Sequence, residues 1–159
     1  RDDRPNGRLV RVAFTPDSIT TVATPTMGMG SPPATDAQKR GAVDQLTAIA
    51  GLITASGDPC GRTVKVYLDG RARFDFVFGA SSQTTINSPA YRGPGLRCAV
   101  QYRPIAGFTE PQEAATLQFV FARTASGMWA PTHIELPTDA VGVVRLEART
   151  LSVNGARLR

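Results

Sequence analysis

Histidine and cysteine are nearly missing from this sequence of 159 residues, which contains one His and two Cys. A zinc ribbon, an iron–sulfur cluster or a multi-histidine metal site needs more of these ligands than the chain contains. The single histidine, His133, also limits the chain to at most one His-based catalytic centre. Long apolar runs are missing as well, so the sequence does not predict a transmembrane helix.

Lysine is also scarce, although the chain is basic. Among its 18 Lys and Arg residues only Lys39 and Lys65 are lysine, and the formal net charge is +5. An arginine-rich surface suits anions because guanidinium pairs with carboxylate and phosphate through two hydrogen bonds. Arginine codons favoured by a GC-rich genome explain the same bias without any function, and the cations are scattered rather than in blocks. Both explanations stay open.

The two cysteines, Cys60 and Cys98, are far apart and form no Cys-x-x-Cys motif. Such a pair is typical of one structural disulfide in an exported protein. Two buried free thiols in a cytosolic protein are the alternative. Residues 1–7 are polar and do not resemble a signal peptide, so we expect either that a leader was removed or that part of the chain lies upstream.

Hydrophobic periodicity predicts a single, mainly β domain across residues 1–159 with one helix. Apolar positions at helical spacing indicate a helix over residues 43–56, with Asp36 or Asp44 as its N-cap. The Gly- and Pro-rich residues 25–42 before it are expected to form a flexible loop. Alternating runs predict about nine strands, with a turn at residues 92–95. These runs are 8–14, 18–24, 62–68, 71–78, a short edge strand within 81–89, 96–103, 114–122, 128–136 and 141–153.

Sequential hairpins with one apolar and one polar face indicate a curved antiparallel sheet. We expect it to form an open or incomplete barrel wrapped around the helix. The apolar face is rich in phenylalanine and is either a filled core or the wall of an apolar ligand cavity. The cavity hypothesis assigns these lining residues: Leu46, Ile49, Ile53, Phe74, Phe76, Phe78, Phe119 and Phe121.

Basic side chains recur on the polar face of the predicted strands. We interpret this basic face either as a contact for lipid headgroups or an acidic partner, or as an ordinary solvated surface. Nucleic acid is not expected as a partner, since no stacking aromatics alternate with the arginines. The residues assigned to the basic face are Lys65, Arg71, Arg73, Arg97, Arg103, Arg145 and Arg149.

Catalytic constellations are not recognisable. His133 has Glu135 two positions away, but no Gly-x-Ser-x-Gly motif supplies a nucleophile, and a surface-strand histidine explains it as well. Asp69 and Asp75 flank Arg71 and Arg73, and hairpin geometry with ion pairing accounts for both carboxylates. We therefore predict no enzyme activity, no metal and no cofactor.

Five short segments follow one another in a distinctive order, namely 43–48, 58–63, 66–75, 91–98 and 102–108. Their order and spacing across residues 8–151 resemble the exported proteobacterial family called domain of unknown function 3108, especially its alphaproteobacterial members. The most specific matches are the Asp-Gly-Arg-x-Arg-Phe-Asp run at 69–75, the paired cysteines and the Pro-Ile-Ala-Gly run at 104–107.

This resemblance implies a periplasmic protein with a fold similar to that of lipoprotein carriers, in which a helix lies on the concave side of an incomplete barrel. We therefore expect a carrier-like module whose apolar concave face accepts a lipid or another hydrophobic group. The alternative is a structural or assembly subunit that docks on an envelope complex through a sheet edge or the basic face. Two departures from the family are Gln45 in place of its usual proline and the lack of strands upstream of Arg8.

Overall fold

The computed structural model describes residues 7, 9–26, 32–54, 57–138, 142–153 and 156–157. Within these ranges the protein is mainly β, as predicted, with ten strands rather than about nine and with two helices. In chain order the elements are β1 (Leu9–Phe14), β2 (Ile19–Thr24), α1 (Asp36–Lys39), α2 (Gln45–Thr54), β3 (Thr63–Leu68), β4 (Ala72–Asn87), β5 (Arg92–Ala106), β6 (Ala115–Arg123), β7 (Trp129–Thr138), β8 (Gly142–Glu147), β9 (Ser152–Val153) and β10 (Ala156–Arg157).

The central sheet is a six-stranded antiparallel meander in the order β3-β4-β5-β6-β7-β8. Its edges are β3 and β8, so the sheet is open rather than closed into a barrel. Helix α2 contacts both β3 and β7, which are separated by three strands. A flat sheet would hold these two strands too far apart for one helix, so the sheet curves around α2. The predicted curved sheet with a helix on its concave face is confirmed.

Helix α2 begins behind an aspartate cap. Asp44 Oδ1 accepts hydrogen bonds from the backbone N–H groups of Leu46 and Thr47, and its Oδ2 accepts one from the Thr47 hydroxyl. These hydrogen bonds lower the pKa of the Asp44 carboxyl. The predicted helix over residues 43–56 is therefore two residues too long at its start. Val43 instead forms a parallel bridge with Val66, donating to Lys65 O and accepting from Tyr67 N.

The predicted flexible loop at residues 25–42 contains the short helix α1, which the sequence analysis missed. Thr35 accepts from the backbone N–H of Gln38, and the Gln38 side chain accepts from the backbone N–H of Thr35. This reciprocal capping box is visible in the sequence as a Thr three residues before a Gln. Residues 27–31 of the predicted loop lie outside the described residues.

Strands β1 and β2 form a separate hairpin that packs, together with α1, on the face of the sheet opposite α2. The contact is a small apolar cluster made by Ile19, Ala34, Ala42 and Tyr67. The Tyr67 hydroxyl hydrogen-bonds the Thr21 hydroxyl at 3.1 Å, which fixes the hairpin against β3. Both faces of the sheet are thus covered near β3 and β4.

Strands β4 and β5 form one long hairpin, which corrects two expectations. Residues 81–87 continue β4 through a register shift between Phe78 and Ser81, instead of forming a separate short strand. Residues 92–95, expected as a turn, lie in β5, and the chain reverses at Ser88–Ala90. Polar residues form this strand because the β4–β5 hydrogen bonds continue while the side chains reach solvent.

The last predicted strand, 141–153, is divided in the structure. Strand β8 ends at Glu147, and β9 pairs with β10 as a separate two-stranded hairpin. The position of residue 141 lies outside the described residues.

The predicted disulfide is present. Cys60 and Cys98 are bonded, with their Cα atoms 5.7 Å apart and 38 positions apart in sequence. The bond joins the segment after α2 to the middle of β5, and Cys98 is fully buried beside Phe119. The disulfide therefore fastens the helix connection to the centre of the sheet.

Candidate functional site

The predicted phenylalanine wall is tightly packed. The ring centroid of Phe119 lies 5.4 Å from that of Phe78, 6.0 Å from that of Phe76 and 6.1 Å from that of Phe121. Phe74 continues the series through contacts with Phe76 and Tyr102. Edge-to-face and stacked rings at these distances fill the space between them. These phenylalanines lie together on the concave face, as predicted, where their rings form core.

Two of the helix residues assigned to the ligand cavity, Leu46 and Ile49, are exposed rather than packed on the concave face, which corrects that part of the prediction. Leu46 is 78% exposed and Ile49 is 50% exposed, while Ile53 is half-buried. The residues that meet the sheet are Ala48 and Leu52, four positions apart on one helical face. Sequence periodicity could not choose between these faces, because α2 is apolar around most of its circumference.

An open cleft of about 670 Å³ lies where the long β4–β5 hairpin meets the ends of β6 and β7. Leu96 of β5 stands directly opposite Gln83 of β4 and Phe121 of β6, so these side chains share the concave face. Arg123 lies two positions after Phe121 and continues that face. The cleft residues are Gln83, Thr84, Thr85, Tyr91, Pro94, Gly95, Leu96, Arg123 and Trp129.

The chemistry of the cleft is amphipathic. The Arg123 guanidinium lies over the Trp129 ring, 5.8 Å from its centroid, and the two residues are cross-strand partners. The Tyr91 hydroxyl donates a hydrogen bond to Pro94 O at 3.1 Å. Among the described residues, no carboxylate forms an ion pair with Arg123. The cleft thus offers an apolar floor at Leu96, an aromatic wall and one exposed cation.

Sequence reasoning missed Arg123 as a site residue, although one signal was present. Leu117, Phe119 and Phe121 alternate on the inward face, and Arg123 occupies the next inward position of the same strand. A charged residue at the end of an inward-facing series marks the place where core gives way to an accessible surface. Trp129 carried the weaker signal of an aromatic residue at a strand start.

Two residues of the predicted basic face are buried, which corrects that prediction. Arg71 is 9% exposed and its Nε donates to Gly107 O at 3.0 Å. Arg73 is 3% exposed, donates from Nε to Gln38 O, and forms an ion pair of 2.6 Å with Asp75. Arg73 does lie on the face opposite Phe74, since its cross-strand partner is Tyr67, whereas Arg71 lies in the turn before β4. That face is covered by α1 and the β1–β2 hairpin, which the strand pattern alone does not show.

The other basic-face residues are exposed, but acidic neighbours divide them. Asp75 lies directly between Lys65 and Arg103 in adjacent strands. Arg145 forms an ion pair with Glu135 across β7 and β8, with 2.5 Å between nitrogen and oxygen. The surface is therefore of mixed sign. The residues that remain exposed are Lys65, Arg97, Arg103, Arg145 and Arg149.

His133 is half-buried on β7, and its ring Nδ1 lies 3.5 Å from the Thr132 hydroxyl. Burial lowers the pKa of the imidazole and the Arg145 cation lowers it further, while Glu135 and Glu147 oppose the shift. No group of three His, Cys, Asp or Glu side chains within the described ranges could hold a metal ion. Within those same ranges, the helices are too short to cross a membrane.

The fold and cleft define a small β-rich module with a curved sheet, an inserted helix and an amphipathic cleft on the concave face. No family model, curated protein or solved structure matches this chain. The resemblance to the exported family stays a prediction that rests on the sequence segments alone. The disulfide is compatible with an oxidising, exported location.

Proposed function

We propose that this protein is a carrier-like binding module of the periplasm that holds an amphiphile in the open cleft beside Trp129. The supporting observation is the composition of this cleft, in which the apolar concave face ends at an aromatic wall and a single cation. Its volume of about 670 Å³ lies within the range of small-molecule sites.

The ligand that suits these residues has an apolar chain and an anionic group. The chain packs along Leu96 and the Trp129 ring, where burial of apolar surface stabilises it. The anionic group pairs with the Arg123 guanidinium, which donates hydrogen bonds to a carboxylate or phosphate. The hydrophobic ligand expected from the sequence is thus assigned to the open end of the concave face rather than to the packed phenylalanines.

Trp129 supplies the test, because it is the only tryptophan in the chain. Its fluorescence is titrated with decyl phosphate and with neutral decyl maltoside, both below their micelle concentrations. We expect saturable binding of decyl phosphate. Arg123→Gln weakens it about tenfold, the loss expected for one charge-assisted hydrogen bond, and leaves decyl maltoside unaffected.

The matched control is Arg103→Gln, which removes an exposed arginine of β5 from the opposite face of the sheet. It is expected to bind decyl phosphate like the unmodified protein. If both variants weakened binding equally, the effect would come from net charge rather than from a contact with Arg123. If neither probe bound saturably, the proposed function would be wrong.

An assembly role is the second candidate, favoured by the exposed edge strand β8. Native mass spectrometry of gently purified, non-reduced protein separates the two candidates. A co-purifying mass of lipid size that is lost in Leu96→Asp supports the carrier. A bare chain in a stable complex with another protein supports the assembly subunit.

A further inference from the structure

The two edges of the central sheet differ in how the chain treats their outward-pointing backbone groups. On β3, Lys65 O accepts from Val43 N and Tyr67 N donates to Val43 O, so the segment before α2 covers that edge. On β8, the described residues place no further strand beyond it. An uncovered edge strand is a template for another strand.

Hydrogen bonding to β7 identifies which groups of β8 face outward. Ala148 N donates to Thr132 O, so this pair and the alternate pairs before it are the hydrogen-bonded pairs of the ladder. Arg145 and Glu147 belong to the non-hydrogen-bonded pairs of the ladder, so their N–H and C=O groups point away from β7. The open edge therefore presents two donors and two acceptors at these two residues, and Val143, which follows the same alternation, adds one of each.

Charge selects one antiparallel pairing of this edge with a second copy. Centring the pair on Arg145 or on Glu147 sets like charges directly opposite each other, which is destabilising. Centring it on Leu146 sets Arg145 of each copy opposite Glu147 of the other, on both sides of the two-fold axis. Leu146, which is 62% exposed, then lies opposite Leu146 of the second copy, on the face of the sheet opposite the two charged residues. Among the two-fold registers of this edge, only this one sets opposite charges against each other, which makes the strand self-complementary across an isologous interface.

We propose that the protein forms a two-fold dimer through antiparallel pairing of β8 with β8 of a second copy, centred on Leu146. The pairing adds four backbone hydrogen bonds at Arg145 and Glu147 and joins two six-stranded sheets into one. The cleft beside Trp129 lies on β4 to β7 and does not include β8. The proposed dimer therefore does not depend on the proposed carrier function.

Two single charge reversals test the pairing by sedimentation velocity. Arg145→Glu and Glu147→Arg each create like-charge pairs across the two-fold axis, and each is expected to be monomeric at concentrations where the unmodified protein dimerises. An equimolar mixture of the two variants restores opposite charges at all four positions. The mixture is expected to dimerise, which a variant that is merely misfolded cannot do. Arg103→Glu, on β5, is the control and dimerises normally.

Cysteine cross-linking tests the register. The chain has no free thiol, since Cys60 and Cys98 are bonded. Leu146→Cys places two thiols opposite each other in a non-hydrogen-bonded pair, where Cα atoms lie about 4.5 Å apart and a disulfide fits. Val144→Cys places them roughly 13 Å apart, four residues of strand rise, and is the matched control.

We expect mild oxidation to cross-link Leu146→Cys and to leave Val144→Cys as single chains. Preferential cross-linking of Val144→Cys would overturn the register. An unmodified protein that stays monomeric up to millimolar concentration would overturn the dimer itself, and a mixture that stays monomeric would overturn the charge pairing.

Discussion

His133 makes the stability of the protein depend on pH near neutrality. Burial and the Arg145 cation hold the imidazole pKa below its usual value of 6.5. The unfolded chain therefore binds a proton more readily than the folded chain. The resulting stability is complete above pH 6.5 and is lost as the pH falls below it toward the lowered folded-state pKa.

Urea unfolding between pH 7.5 and pH 5 measures this dependence. We expect the free energy of unfolding to decrease as the pH is lowered over this range. His133→Gln is expected to make the free energy of unfolding depend less on pH, because it removes the titrating group. A protein whose stability rises on acidification over the same range would contradict the assignment. Asp44, whose pKa is also lowered, loses its contribution only below pH 3.8 and does not interfere.

Gly107 holds a backbone position that no other residue fits. Its φ is +81°, and a Cβ at this position would collide with the backbone carbonyl of Arg71. Gly61 has a similar φ of +69° and open space around it. We expect Gly61→Ala to cost about 1 kcal/mol from the left-handed conformation alone. Gly107→Ala is expected to cost at least about 3 kcal/mol, since the clash is added to the same strain.

The difference in free energy of unfolding between the two variants, measured with urea, gives the cost of the clash between a Cβ at position 107 and the Arg71 carbonyl. Equal losses of stability would show that the loop after β5 moves away freely. The close approach of the chain at Arg71 also explains why the Pro-Ile-Ala-Gly run ends in glycine here.

At the scale of the element, α2 is held by one face. Leu52 is 6% exposed and packs on the cluster around Cys98 and Phe119, while Leu46 is 78% exposed on the same helix. Leu52→Ala is expected to destabilise the protein by about 2–5 kcal/mol through lost burial and a residual cavity. Leu46→Ala makes the same chemical change and is expected to alter stability by less than about 0.5 kcal/mol.

Thermal or urea unfolding of both variants measures how α2 is rotated against the sheet. A larger loss in Leu46→Ala than in Leu52→Ala would contradict that rotation. This question could not be decided from the sequence, since Leu46, Ile49, Leu52 and Ile53 give α2 apolar residues on several faces.

Strand prediction from sequence succeeded where side chains alternate. Phe74, Phe76 and Phe78 were placed on one face, as they are in the structure, because each inward position is apolar. Residues 81–87 were misjudged, since their inward positions are polar and carry no alternation. Arg73 was placed on the correct face, but the cover over that face comes from segments distant in sequence.

At the scale of the whole molecule, the disulfide joins the two parts that pack against each other. Cys60 follows α2 and Cys98 lies in the central strand β5, 38 positions away. In the chain-entropy treatment, a loop of this length corresponds to about 4 kcal/mol of stabilisation. The double variant Cys60→Ala, Cys98→Ala is expected to lose about that amount.

Urea unfolding of the double variant, and of the unmodified protein with and without reductant, measures this contribution. Reductant is expected to destabilise the unmodified protein and to leave the double variant unchanged. Equal stability of the two proteins without reductant would show that the sheet and helix pack without the cross-link.

The candidate site was only partly predictable at this scale. The sequence indicated a concave apolar face and the phenylalanines on it, and both are present. The cleft lies farther along that face, where Arg123 is exposed and Leu96 and Trp129 are only half-buried. The length of the β4–β5 hairpin and the position of the helix determine this opening, and neither follows from alternation in single strands.

The central claim is that the cleft at the end of the concave face binds an amphiphile, and ¹H–¹⁵N NMR of the labelled protein tests it most directly. During titration with decyl phosphate, we predict that the shifted signals belong to the Trp129 indole N–H and to the backbone N–H groups of Gly95, Leu96 and Arg123. The amides of α2 around Leu46 should stay unchanged. Shifts confined to α2, or no shifts at saturating probe, would contradict the account.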